Sequence, residues 1–224
     1  MTSCHTLIVS DLHLGARISR TEKILDVLTN TKFKYLIING DLFDSDTTHK
    51  FNTDEWRVIS LLSEIAERSE VTLVGGNHGR SLDILAEKMG IEILKNHIFN
   101  IGDRKFLCMH GDEFDMFVKN LPMTTHVFTR IYYLIQRFSG EKQSFSMILK
   151  KLTKQLLGIS RRQQRLALKQ GRSHNANVII CSHTHIPHSS EKNGVLFLNS
   201  GSFCNNLSTY ITVDKSGTVK LNTI

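Results

Sequence analysis

Six short apolar runs punctuate the chain: TLIVS at 6–10, YLIIN at 35–39, VTLV at 71–74, FLCM at 106–109, VIIC at 178–181 and VLFLN at 195–199. Most end abruptly in polar residues. Unbroken apolar runs of this length predict strands covered on both faces. Helical patterns lie between the first three, around 20–30 and 54–68. In the second of these, Trp56, Ile59, Leu62 and Ile65 recur at three-residue spacing and predict one buried face. A shorter helix is expected at 81–89, with Ser81 as its N-cap. This alternation of strand and helix predicts an α/β domain. The tail TYITVDKSGTVKLNTI alternates around DKSG and predicts a β-hairpin.

From about 114 to 170 the rhythm changes. Val127, Ile131, Leu134 and Phe138, then Ile148, Leu152 and Leu156, follow helical spacing, and Pro122 and FSGEKQS divide the stretch into separate helices. This predicts a single domain over 1–224 carrying an inserted basic helical lid over 114–172. Charge marks the same segment. Between Phe114 and Asn175 there are twelve basic residues and two acids, whereas the rest of the chain has 16 basic and 19 acidic residues. The net charge of +7 therefore comes from one stretch, a candidate surface for an anionic partner.

At 224 residues the chain suits one sizeable domain. Its start, MTSCHTLIVSDLH, carries no basic-then-apolar leader, and no run approaches the ~18 apolar residues of a membrane span. The expected location is the cytoplasm, with peripheral contact to the inner face of an anionic membrane as one role for the basic segment. Cys4, Cys108, Cys181 and Cys204 are widely separated and form no CxxC pair, so free thiols are expected.

The polar clusters that end five of the runs share one chemistry. They contain Asp11 and His13 in SDLHLG, Asp41 in NGDLFD, Asn77 and His78 in GGNHG, His110 in MHGD, and His183 and His185 in CSHTH. A parallel sheet gathers its following loops at the carboxyl edge, which brings such residues together. Carboxylates, imidazoles and an amide oxygen make a mixed oxygen–nitrogen donor set suited to Mn²⁺, Fe²⁺ or Zn²⁺. With His78 set aside, the seven remaining donors exceed one tetrahedral ion and are enough for two ions sharing a carboxylate.

In this order the motifs resemble those of the calcineurin-like metallophosphoesterases: DxH, GDxxD, GNH followed by an acid, a later histidine, and GHxH. The resemblance spans residues 7 to about 205, apart from most of the insertion. It implies an αββα sandwich of two mixed sheets flanked by helices. It also implies one metal on Asp11, His13 and His185 and a second on Asn77, His110 and His183, with Asp41 bridging. Mn²⁺ is the first choice, and Fe, Zn, Ni and Co are the others. Two such ions clamp a phosphoryl group and activate water. His78 is then the expected proton donor to the leaving oxygen. The acid that follows this histidine in the family is Gly79 here, so its support must come from elsewhere or its proton donation must weaken. Arg80 is a candidate contact to a substrate phosphate.

An insertion between HGD and HTH, the run RLALKQGRSHNANVIICSHTHIP and the later LNSGS resemble the branch containing UDP-2,3-diacylglucosamine pyrophosphatases. That likeness implies a pyrophosphatase of this type, acting on a phosphorylated, lipid-linked sugar nucleotide. Members of that branch carry arginine where this chain has His78, which is a departure. A phosphodiesterase or nuclease acting on nucleotides or nucleic acid is the alternative within the enzymes. From another class comes a non-catalytic protein-binding scaffold of the same fold, such as a retromer coat subunit.

Overall fold

The computed structural model describes residues 2–49, 51–114, 143–204 and 207–224, with 143–157 as backbone only. The expected helical spacing from Val127 to Phe138, the break at Pro122 and the first part of the expected lid lie outside these residues.

The first three runs and one further strand alternate with helices in one parallel series. They are β2 (Thr6–Val9), α1 (Thr21–Asn30), β4 (Tyr35–Asn39), α2 (Thr53–Ala66), β5 (Glu70–Val74), α3 (Asp83–Lys88) and β6 (Glu92–Leu94). With the C-terminal hairpin of β12 (Thr209–Val213) and β13 (Val219–Thr223) they form a six-stranded mixed sheet, ordered β13-β12-β2-β4-β5-β6. The second sheet has five strands, ordered β10-β11-β9-β8-β7: β7 (His97–Ile101), β8 (Arg104–Cys108), β9 (Val178–Cys181), β10 (His188–Lys192) and β11 (Val195–Asn199). A helix of 31 residues, α4 (Gln143–Ser173), precedes β9. Two short strands, β1 (Thr2–Ser3) and β3 (Thr31–Lys32), pair at the periphery.

The two-residue period of a strand explains the layering. Leu7 and Val9, Leu36 and Ile38, and Val71 and Leu73 pack against Ile24, Leu28, Val58 and Leu62 of the helices. Ile8, Ile37, Val74, Ile211 and Val213 face the other way and meet Phe106, Cys108, Val178, Ile180 and Leu198 of the second sheet. The far face of that sheet, with Leu107, Met109, Ile179 and Phe197, is covered by Ala167 and Leu168 of α4. The result is the αββα sandwich. Each large apolar side chain so buried contributes about 1.5–3 kcal/mol. A charge at Ile37, between the sheets, is the kind of single change that would part them.

Three local expectations change. Trp56 is 44% exposed and stands edge-on to Phe51, 5.5 Å between ring centroids. Three-residue steps drift by about 60° per step around a helix. The buried stripe of α2 is instead Glu55, Val58, Ile59, Leu62 and Ile65. Its start is fixed by a capping box between Asn52 and Glu55. Ser81 does not cap α3. It lies in a 3-10 turn over Arg80–Leu82, and its N–H donates to Asp46 Oδ1 at 3.0 Å, a cap borrowed from another loop. Finally, the second half of α4 is a structural layer of the sandwich, bonded to its interior. The strand β10 escaped the apolar reading because it is an edge strand of largely exposed, polar residues.

All four cysteines are free, and burial raises the Cys108 and Cys181 thiols. Among the described residues, no helix is long and apolar enough to cross a membrane.

Candidate metal centre

The loops after β2, β4, β5, β8 and β9 meet where the carboxyl edges of the two sheets come together. Asn39 Nδ2 ties that junction by donating to the Met109 carbonyl at 3.1 Å. Seven non-glycine residues among those described have positive φ, and five of them are expected ligands: Asp11 (50°), His13 (46°), Asp41 (48°), His183 (66°) and His185 (56°). A left-handed backbone costs an L-residue about 1–2 kcal/mol. Five such residues in one cluster mark a place where geometry has been kept against local preference.

Asp41 is the centre of the arrangement. Its Oδ1 accepts the backbone N–H groups of Asn77 and His78, both at 2.9 Å, so it holds the GNH turn. Its Oδ2 faces His110 Nε2 at 3.3 Å and His13 Nε2 at 3.6 Å, one on each side. The other donor atoms close up around these. His110 Nε2 lies 3.2 Å from Asn77 Oδ1, His185 Nε2 lies 3.0 Å from Asp11 Oδ1, and His13 Nε2 lies 3.3 Å from His185 Nε2. Asp11 Oδ2 is turned toward the His183 N–H, at 3.4 Å. The ring of His183 stands edge-on to His110, with centroids 5.1 Å apart.

Hydrogen bonding decides which nitrogens carry protons. Ser182 Oγ–H donates to the Asn39 carbonyl, so Ser182 Oγ accepts from His110 Nδ1–H at 2.8 Å. In neutral His110 the Nε2 lone pair therefore points at two oxygen acceptors, an arrangement that is repulsive unless a cation or a proton sits among them. Without a metal the proton does so. Burial opposes it, but the Asp41 carboxylate dominates and His110 is pushed up to about 10. Asp41 is held well below the carboxylate range by His110 against the cost of burial. Burial likewise opposes the charge on Asp11, and His185 keeps its pKa low.

The spacing suits a metal. Donors each about 2.1 Å from one ion stand about 3.0 Å apart at right angles and about 3.4 Å apart at the tetrahedral angle. The observed separations between facing donors run from 3.0 to 3.6 Å, which covers that range, and Asp11 Oδ1 and His13 Nε2 stand wider at 4.0 Å. Asp11, His13 and His185 could hold one ion, and His110 and Asn77 another, with Asp41 Oδ2 common to both.

Asp44 was not singled out in the sequence, although it is the second acid of GDLFD. Its Oδ1 lies 3.3 Å from His13 Nδ1. Burial lowers His13, and the carboxylates of Asp44, Asp41 and Asp11 outweigh it and raise the ring. Asp44 thus orients His13 and frees its Nε2 for the ion, the usual task of a carboxylate behind a ligating histidine. The Asp44 backbone carbonyl accepts from His78 Nδ1 at 3.1 Å. That carbonyl is the support that Gly79 does not supply. Gly79 has φ +59°, and a Cβ there would stand 2.7 Å from the Phe43 carbonyl oxygen, so the position admits no acid. Burial lowers His78, whose ring stands edge-on to His13 at 4.9 Å. Arg80 is exposed on the 3-10 turn and is not among the converging groups.

Two further supports carried no recognised signal. Glu55, 2% exposed, accepts the Gly15 N–H at 2.6 Å and the Asn52 N–H at 2.7 Å, pinning the DxH loop to the start of α2. Gln163 of α4 donates to the Ser182 carbonyl at 2.9 Å and accepts from Asn199 at 3.0 Å.

Comparison with known proteins shows the family and the fold. The family model described as the calcineurin-like phosphoesterase superfamily domain matches residues 5–217. An archaeal phosphodiesterase superposes with a TM-score of 0.53 at 15% identity, covering 98% of this chain and 99% of that one. The E. coli phosphoesterase YfcE gives 0.51 at 15%, covering 98% of both chains. A Vps29 variant from Entamoeba histolytica gives 0.50 at 16%, covering 98% of this chain and 97% of that one. A search of curated protein sequences finds no match.

Proposed function

Since this chain belongs to the calcineurin-like phosphoesterase superfamily, we propose that it is a metal-dependent phosphohydrolase. Its two divalent ions would be held by Asp11, His13 and His185 and by Asn77, His110 and His183, with Asp41 shared. The observation that carries this reading is that His13 and His110 face Asp41 Oδ2 from the DxH and HGD loops, with His185, Asp11 and Asn77 closing behind them and Asp11, His13, Asp41 and His185 on left-handed backbone. The mixed oxygen and imidazole donor set accepts Mn²⁺, Fe, Zn, Ni or Co, and the family resemblance puts Mn²⁺ first.

When bound, such a pair of ions neutralises charge on phosphoryl oxygens and lowers the pKa of water. The chain's own residues do the rest. Asp41 Oδ1 fixes the Asn77–His78 turn, so the ligand and the proton donor move as one body. With Nδ1–H committed to the Asp44 carbonyl, His78 exchanges its mobile proton at Nε2. Burial favours its neutral form, so proton delivery suits substrates with good leaving groups.

The finer reading is a pyrophosphatase of the UDP-2,3-diacylglucosamine type or a relative, cleaving a phosphoanhydride in a lipid-linked sugar nucleotide. It is supported by the insertion between HGD and HTH and by good-leaving-group chemistry at His78. A phosphodiesterase acting on nucleic acid is the second reading, favoured by the excess of cations between Phe114 and Asn175.

Purified protein stripped with a chelator and reloaded with Mn²⁺ should be assayed against monoesters, diesters, nucleotide sugars and single-stranded nucleic acid. Activity that vanishes on stripping and returns with Mn²⁺ supports the hydrolase. Absence of hydrolysis with every divalent ion supports the scaffold reading instead, and the preferred substrate separates anhydride from diester chemistry.

A further inference from the structure

Arg161, Arg165, Lys169 and Arg172 follow one another along α4 in steps of four, four and three residues, and all four are exposed. Such steps place them in a row down one helix face. At about 1.5 Å per residue the row is about 16 Å long. Its opposite wall is β10. His188, Ser190 and Lys192 share one face of that strand by alternation, while Glu191 takes the other. Gln164 Nε2 donates to Ser190 Oγ at 2.6 Å, which fixes the helix to the strand. The four helix cations, Gln164, Leu166, Leu168 and Lys192 line an open groove of about 490 Å³.

Among the described residues none of these five cations has an ion-pair partner, and no acid lines the groove. Like charges set in a concave wall focus a positive field outward. The row also has a direction. Gln163, beside Gln164, bonds the Ser182 carbonyl next to His183, whereas Gly171 packs on Ile179 lower in β9. The Arg161 end therefore lies level with the donor cluster, and the Arg172 end lies away from it.

We infer that this groove binds the sugar–phosphate backbone of a single-stranded nucleic acid, with its phosphates along the Arg161–Arg172 row. Three of the four helix cations are arginines, whose planar forks match phosphate oxygens. A row this long exceeds one phosphate and suits a chain of them. An anionic bilayer fits less well. Among the residues whose side chains are described, the exposed large apolar ones are Trp56, Ile84, Ile98 and Leu207, none of them on residues 158–173 of α4 or on β10. The groove has no aromatic side chain for stacking bases, so binding is indifferent to sequence and of modest strength, in the range of about 10⁻⁶–10⁻⁴ M at physiological salt. The inference concerns binding and stands apart from the chemistry of the donor cluster.

The test uses full-length, chelator-treated protein and an end-labelled oligothymidylate, followed by fluorescence anisotropy across a salt series. Three or four phosphate contacts predict a log–log slope of about −2 to −3. The double variant Arg165→Glu/Lys169→Glu should bind at least about tenfold more weakly with a shallower slope. Its Mn²⁺-loaded hydrolysis of bis(p-nitrophenyl) phosphate should match the parent. No binding at low salt, or equal binding by the variant, overturns the inference. So does capture on phosphatidylglycerol vesicles that the oligonucleotide cannot displace. Because binding is read without metal, failure of catalysis and failure of this groove give separate results.

Discussion

The backbone carbonyl of Asp44 accepts a hydrogen bond from His78 Nδ1 at 3.1 Å. A carbonyl cannot donate, so this bond fixes the proton on Nδ1 and makes Nε2 the nitrogen at which the ring gains and loses its second proton. It uses no side chain, which is why a sequence with glycine after the histidine can still hold the ring. Restoring an acid at Gly79 should therefore harm the protein. The new Cβ would meet Phe43 Cβ at 2.5 Å and the Phe43 carbonyl oxygen at 2.7 Å, on backbone with φ +59°. Displacing Phe43 moves Asp44, the support itself. Gly79→Asp is expected to lose about 1–3 kcal/mol of stability and to lower kcat on good and poor leaving groups alike. Thermal melts with paired p-nitrophenyl phosphodiester and alkyl ester assays would check this. A selective gain on poor leaving groups would show that the carbonyl is an inadequate substitute for the acid.

Asp41 and Asp44 should separate two kinds of loss. Asp41 Oδ2 stands between His13 and His110, while its Oδ1 holds two backbone amides. Asp41→Asn removes the shared charge and places a donor where an acceptor is needed. Asp44→Asn leaves every donor atom in place and removes only the carboxylate behind His13. An outer partner of this kind is worth about 10–100-fold in metal affinity or activity. Asp44→Asn should fall in that range and recover at high Mn²⁺, whereas Asp41→Asn should lose more and not recover. Metal titrations of both variants, with kcat at saturation, distinguish the two. Full rescue of Asp41→Asn by metal would contradict its shared position.

Much of this site could be read along the chain because the strands are buried on both faces. Their apolar runs are unbroken, and each polar residue that follows stands out at the edge where loops gather. The sorting of Ile8 and Ile37 to one side and Leu7 and Leu36 to the other needs only the strand period. What could not be read depends on contacts across the chain. The partners of Gln163 are Ser182 and Asn199, and nothing in SRRQQRLALK distinguishes that glutamine from the next one. Glu55 is one of two neighbouring acids at the start of α2, and only the fold shows that it caps the helix with one oxygen and anchors Gly15 with the other. Trp56 was placed by spacing alone, and the helix turns it away from the core.

Proton and metal should compete at His110. In the metal-free protein burial lowers its pKa, but the Asp41 carboxylate carries it to about 10, above the unfolded value of about 6.5. A raised histidine pKa gives stabilisation that is fully present below about pH 6.5 and is lost as pH rises through about 10. Metal-free protein should therefore lose stability between pH 7 and 10. Metal binding needs the neutral ring, so Mn²⁺ affinity should rise over the same window. Thermal melts in chelator and in Mn²⁺ would show the gap between them widening with pH. His110→Gln, which retains the titration of exposed lysines and tyrosines, should flatten the His110 part of the metal-free slope. An unchanged slope in that variant would assign the effect to other groups.

Strain at the ligand positions predicts an inverted order of small substitutions. In ordinary helix or strand interiors glycine is less stable than alanine by about 0.5–1 kcal/mol, because it loses more chain entropy on folding. At His13 and His185 the backbone sits at φ 46° and 56°. There an alanine keeps the clash between Cβ and the following carbonyl, and a glycine removes it. Both substitutions delete the same buried ring, so the cavity and the lost donor cancel in the comparison. His13→Gly and His185→Gly should each be more stable than the matching alanine variants by about 1 kcal/mol, and all four should lack metal-dependent activity. A pair at Thr72, inside β5 and without positive φ, supplies the ordinary order as a control. Denaturant unfolding of the metal-free proteins gives the differences directly. If alanine is the more stable at both histidine positions, the left-handed backbone is relaxed in solution and the strain does not reside in these residues.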